Sequence, residues 1–83
     1  GFARWLDERK LTWAYEPHTL LLSDGRRYVP DFWVEEWQEY VELNGAHLPT
    51  DKADQAVADG HHVRVLQGLP AIRAFQSSFV VVS

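Results

Sequence analysis

Apolar positions along this 83-residue chain keep two different periods. Phe2, Trp5 and Leu6, with the stem of Arg9, recur at helical spacing and predict a helix over 2–10. From Trp13 onward, apolar and β-branched residues come in short runs that predict extended structure over 13–16, 19–22, 26–34 and 37–43. Ser23-Asp24-Gly25 lies between two such runs, and Asp-Gly there is a hairpin signal. Glu35 and Glu36 begin a polar connection, and 45–49 reads as a loop. A second helix is expected over 50–58, with Thr50 as cap, Asp51 in the first turn and Gly60 just past the end. A short strand over 62–66, a turn at Gly68-Leu69-Pro70, one or two helical turns over 71–76 and a last apolar strand over 79–82 complete the pattern.

This order predicts one α/β domain spanning 1–83, with a mixed central β-sheet flanked by helices. Pro30 falls inside the longest extended run. Pro removes a ladder hydrogen bond, so a break or bulge is expected just before Asp31, re-aiming that side chain.

Four Trp help a thin core, since so short a chain buries only about 60% of its unfolded surface. No run approaches the ~20 apolar residues of a membrane span, and no signal sequence opens the chain. The absence of Cys excludes disulfides and thiolate metal sites. Together these fit a cytoplasmic protein. Met is absent even at position 1, which predicts that the natural N-terminus is missing. A net charge of −4 argues against strong non-specific DNA binding by this domain alone, because such binding rests on Lys and Arg. DNA contact would then be shared with a second subunit or a larger protein.

Two acids stand out. Asp31 follows Pro30 in Tyr-Val-Pro-Asp-Phe-Trp-Val, and Glu42 lies in Tyr-Val-Glu-Leu-Asn-Gly. A carboxylate in an apolar run is costly unless it is paired or binds a cation. On adjacent antiparallel strands the two would have Cβ atoms roughly 4.5–5.5 Å apart. That suits Mg²⁺, or Mn²⁺, which takes one or two carboxylates plus waters and phosphate. The bland alternative puts Asp31 in a turn and Glu42 on a solvated strand face.

Pro30-Asp31 followed by Glu42-Leu43-Asn44 resembles the signature of the PD-(D/E)XK nuclease superfamily. Its context is similar to that of small phage and mobile-element endonuclease domains: Tyr15-Glu16-Pro17 upstream, Arg27-Tyr28 before the Pro, Lys52 in a following helix, and Gly60 to Leu66 beyond. The resemblance covers roughly 3–68. It implies a restriction-endonuclease-like fold, in a bacterial or phage-infected cell, and metal-dependent hydrolysis of DNA. Asp31 and Glu42 would hold Mg²⁺, and the Leu43 carbonyl would join them.

Asn44 stands where the family has its catalytic Lys. Losing a positioned electrostatic group in a dry site costs ~2.7–4 kcal/mol in a comparable case. The family's first-helix Glu also has no match, the aligned position being Phe2. Lys52 could supply the missing cation, or could be a solvated surface Lys. Glu16 could be an outer carboxylate of the site, or a turn residue. Arg4, Arg26 and Arg27 are the expected phosphate contacts. The rival expectation is a nuclease-like domain that no longer cuts and serves DNA docking or protein interaction. A third is an oligomerisation module, a homodimer included, burying the apolar 79–82 segment.

Zinc held by His18, His47, His61 and His62 is disfavoured, because adjacent His residues on a strand point to opposite faces. Trp33 and Trp37 could stack on bases, or could pack the core.

Overall fold

The computed structural model describes residues 1–79. Its order is α1 (Phe2–Glu8), β1 (Trp13–Tyr15), β2 (Leu20–Leu21), β3 (Arg27–Tyr28), β4 (Phe32–Val34), β5 (Glu39–Asn44), α2 (Asp51–Ala58), β6 (Val63–Gln67) and α3 (Leu69–Ser78). A four-stranded sheet runs β1-β4-β5-β6, and β2-β3 forms a separate hairpin. β1, β4 and β5 pair antiparallel, while β5 and β6 are parallel and joined through α2. The domain is therefore α/β, with a mixed sheet flanked by helices.

Side chains alternate across the sheet, so each face has its own core. Phe32, Val34, Val41 and Leu66 pack against Phe2 and Leu6 of α1, with Ile72 and Phe75 of α3 beside them. On the other face Ala53 and Ala56 of α2 meet Leu22 and Tyr28 of the hairpin, with Val63 and Val65 beneath. Small residues on α2 let it lie close to the strands. The hairpin is tied to α2 at both ends. Ser23 donates its amide and its hydroxyl to the Asp59 carboxylate, at 2.8 and 2.7 Å. Arg26 donates to Asp51.

Three expectations need correction. The run 26–34 is not one arm: it divides between the hairpin and the sheet, and Val29-Pro30-Asp31 carries the chain from one to the other. Pro30 has no amide for a ladder and sits buried at this crossing. Trp37 is in the turn before β5, where Gln38 takes a left-handed conformation (φ 52°). The Trp37 ring packs against Phe75 and Phe79 instead of extending a strand. The last helix is longer than the one or two turns expected. Pro70 lies in the first turn of α3, where its missing amide costs nothing, so it opens that helix rather than delaying it. Beyond Phe79, the strand predicted over 79–82 lies outside the described residues.

Candidate functional site

The register of β4 and β5 decides where the two acids stand. Phe32 pairs with Val41 and Trp33 with Tyr40. One step back along the same register, Asp31 faces Glu42. Both belong to the face that carries Trp33 and Tyr40, the face opposite Phe32 and Val41. Asp31 leaves the ladder just before β4, and its Oδ2 accepts the Leu43 amide at 2.8 Å. Its own carbonyl accepts the Glu16 amide at 2.7 Å. Residue 31 is thus held from β5 on one side and from the end of β1 on the other.

Glu42 is half-buried, and its pKa is raised, first by burial and then by the charge on Asp31. The two carboxylates feel each other. Tyr28 lies next to Glu42 and is 4% exposed. Its hydroxyl is sealed from solvent beside the Glu42 carboxylate, to which it donates. Burial, then the Glu42 charge, pushes its pKa upward, so it stays a neutral donor.

Tyr28, Glu42 and Lys52 share a cleft of about 340 Å³, walled by the first turn of α2. The Lys52 side chain is solvent-exposed and forms no ion pair among the described residues. It is the cationic side chain lining that cleft. Thr50 precedes α2 but does not cap it, contrary to expectation: its hydroxyl goes to Asp54 at 3.1 Å, leaving the first-turn amides without a side-chain acceptor.

Asn44 is occupied elsewhere. Its Nδ2 donates to the Pro49 carbonyl at 3.1 Å and its Oδ1 accepts the Gly45 amide at 3.0 Å. Both bonds shape the loop leading to α2. Leu43 turns its side chain to the opposite face, beside α1 and α3, and offers its amide to Asp31.

Glu16 is exposed at the turn after β1, in a left-handed conformation (φ 45°). Its influence falls on the Tyr15 hydroxyl, whose pKa it raises by hydrogen bonding and charge. No group of three or more Asp, Glu or His gathers as a metal cage among the described residues. The candidate site is therefore a carboxylate pair. Carboxylate oxygens are the kind of hard donor that Mg²⁺ or Mn²⁺ takes, and the pair offers two such groups.

The three arginines do not share one side. Arg26 is tied to Asp24 at 2.7 Å and to Asp51, near the cleft. Arg27 is exposed on β3. Arg4 is on α1, across the sheet from Glu42, and pairs with Glu8 at 3.5 Å.

Sequence reasoning missed Tyr28. The signal available was its place two residues before Pro30, in a strand where an apolar residue would have served the core as well.

No family model matches the chain, and neither a curated protein nor a solved structure does. Among the described residues, no helix is long and apolar enough to cross a membrane.

Proposed function

We propose that this domain is a metal-dependent DNA phosphodiester hydrolase with a PD-(D/E)XK-type, restriction-endonuclease-like core. The observation that carries this reading is the pairing of Asp31 and Glu42 on one sheet face, with Glu42 lining a cleft that Lys52 also lines. Asp31 and Glu42 would hold Mg²⁺ or Mn²⁺, the Leu43 carbonyl being the further oxygen the family pattern supplies. A divalent ion there would polarise the phosphoryl oxygen and lower the pKa of an attacking water. Leu43 keeps Asp31 aimed through its amide. Lys52 offsets negative charge on the phosphate, the task that Asn44 leaves open. Arg26 and Arg27, near the hairpin end, suit the flanking DNA backbone. Arg4 would touch only DNA that reached round to α1.

The test is incubation with plasmid and branched DNA in Mg²⁺ or Mn²⁺, alongside Asp31→Asn and Glu42→Gln. Cleavage by the native protein and its loss in both variants supports the reading. Calorimetry that finds no divalent-cation binding defeats it.

A second reading has its own support. Both polar ends of the Asn44 side chain are spent on the loop, as expected of a residue serving structure. A domain of this shape that binds DNA or another protein without cutting would keep the carboxylate pair and show cation binding with no cleavage.

A further inference from the structure

We propose that the groove between α1 and α3 is a docking surface for an acidic amphipathic helix of a partner protein. It lies on the sheet face opposite Asp31 and Glu42, so it is independent of the hydrolase reading.

Three observations meet there. First, the groove is apolar and open. Phe2, Trp5 and Ile72 floor a space of about 650 Å³. Leu43, Leu69 and Ile72 continue it into a second space of about 480 Å³, bordered by Ala46 and Pro70. Leu69 stands at the mouth and is 63% exposed. No residue of α3 is fully buried, although Leu69, Ile72 and Phe75 form an apolar stripe along it. An exposed apolar patch with a polar rim marks an interaction surface.

Second, the length suits a helix. The groove follows α3 from Pro70 to Gln76, roughly 9 Å at 1.5 Å per residue. A partner helix anchored at i, i+3 or i+4, and i+7 presents its apolar residues over about 10.5 Å. A small-molecule pocket encloses most of its ligand, whereas this groove is open along one side.

Third, the charge around the groove reverses that of the chain, whose net charge is −4. Arg4 stands on the α1 wall and Arg73 on the α3 wall. α3 has no acidic residue, and Arg73 forms no ion pair among the described residues. Arg9 and Lys10 follow in the turn after α1. The acids of α1 are engaged: Asp7 accepts the Trp13 indole at 2.7 Å, and Glu8 pairs with Arg4 at 3.5 Å. Cations flanking an apolar floor complement carboxylates flanking an apolar stripe. Duplex DNA would satisfy the arginines but leave Trp5, Leu69 and Ile72 against a charged backbone, so the peptide is favoured.

The experiment is calorimetric titration at low ionic strength, where rim charges are least screened. Three capped peptides of about 15 residues, long enough to form a helix, are titrated into the full chain. The acidic peptide places Leu at i, i+3, i+4 and i+7 among Glu and Ala. The basic peptide has Lys in place of Glu, and the third is the acidic peptide scrambled. The acidic peptide should bind one to one, and the other two at least about tenfold more weakly. Arg4→Glu combined with Arg73→Glu should weaken the acidic peptide by at least about tenfold and strengthen the basic one. The melting temperature should hold, since both side chains are exposed. Asp31→Asn should bind the acidic peptide as the native chain does, which separates this result from that of the cation site. No binding of the acidic peptide, equal binding of all three, or unchanged affinity in the double variant overturns the docking surface. Duplex DNA binding that the double variant loses, in place of peptide binding, also overturns it and gives the face to phosphate.

Discussion

The Leu43 amide donates to Asp31 Oδ2 at 2.8 Å, so the backbone of β5 holds the acid that precedes β4. The neighbouring residue on β5 is Glu42. One strand thus positions both acids, one through its backbone and one through its side chain. This is an economical way to build a two-carboxylate site in a sheet whose strands are three and six residues long here.

Removing either acid should separate binding from folding. Asp31→Asn keeps an oxygen that can accept the Leu43 amide, so the melting temperature should change little. Mg²⁺ or Mn²⁺ affinity should fall by at least about tenfold, the lower bound for weakening residues that merely support a metal ligand. Calorimetry and a thermal melt on the same sample check both halves. A variant that unfolds, or that binds the ion as the native protein does, is inconsistent with this role for Asp31.

Glu42 gives the first pH prediction. Its pKa is raised, so the folded state holds its proton more tightly than the unfolded chain. The cost of ionising it is absent below the ordinary Glu range, grows as pH rises through the raised value, and is complete above it. Glu42→Gln should therefore melt higher than the native protein at pH 7 without metal. The gap should close towards pH 4. Added Mg²⁺ should raise the native melting temperature and leave that of the variant unchanged.

Asp59 gives a prediction of opposite sign. Hydrogen bonds from Ser23 and then Gln55 hold its pKa below the usual carboxylate range. That stabilisation is present above the ordinary Asp value and is lost as pH falls through the lowered one. Asp59→Ala should lower the melting temperature at pH 7 and match the native protein near pH 2. Because Asp59 anchors the hairpin carrying Tyr28, hydrogen exchange at β2 and β3 should accelerate more than at β5 and β6 in this variant.

Much of the frame was legible because its signals are local. Asp24-Gly25 marks the hairpin, Pro30 marks the break, and the two-residue period of strands puts Asp31 and Glu42 on one face once β4 and β5 are paired. The splitting of 26–34 was not legible, because which sheet each half joins depends on contacts with α2 and β5. Trp37 reads as a strand residue from its neighbours. Its place is set by Trp5 and Phe75, distant in sequence. Lys52 and Tyr28 enter one cleft only through the packing of the hairpin on α2, which no spacing along the chain encodes. Arg4, Arg26 and Arg27 are expected together as phosphate contacts, but α1 and the hairpin carry them to opposite sides of the sheet.

Asn44→Lys is the variant that divides the two readings of function. The substitution removes the donor to Pro49 and the acceptor for Gly45, each worth about 1 kcal/mol. A loss of that order lowers the melting temperature by several degrees in a chain this short. Asn44 follows Glu42 on the same sheet face, so a Lys there projects its ammonium beside the carboxylate pair. If the domain cleaves DNA weakly for want of that charge, cleavage in Mg²⁺ should rise by about 10²–10³ despite the lower stability. A plasmid-nicking assay and a thermal melt on the purified variant measure the two effects together. A rise in rate with a fall in stability identifies a hydrolase held back at one position. A fall in stability with no cleavage in either protein, while divalent cations still bind, identifies the non-cutting module.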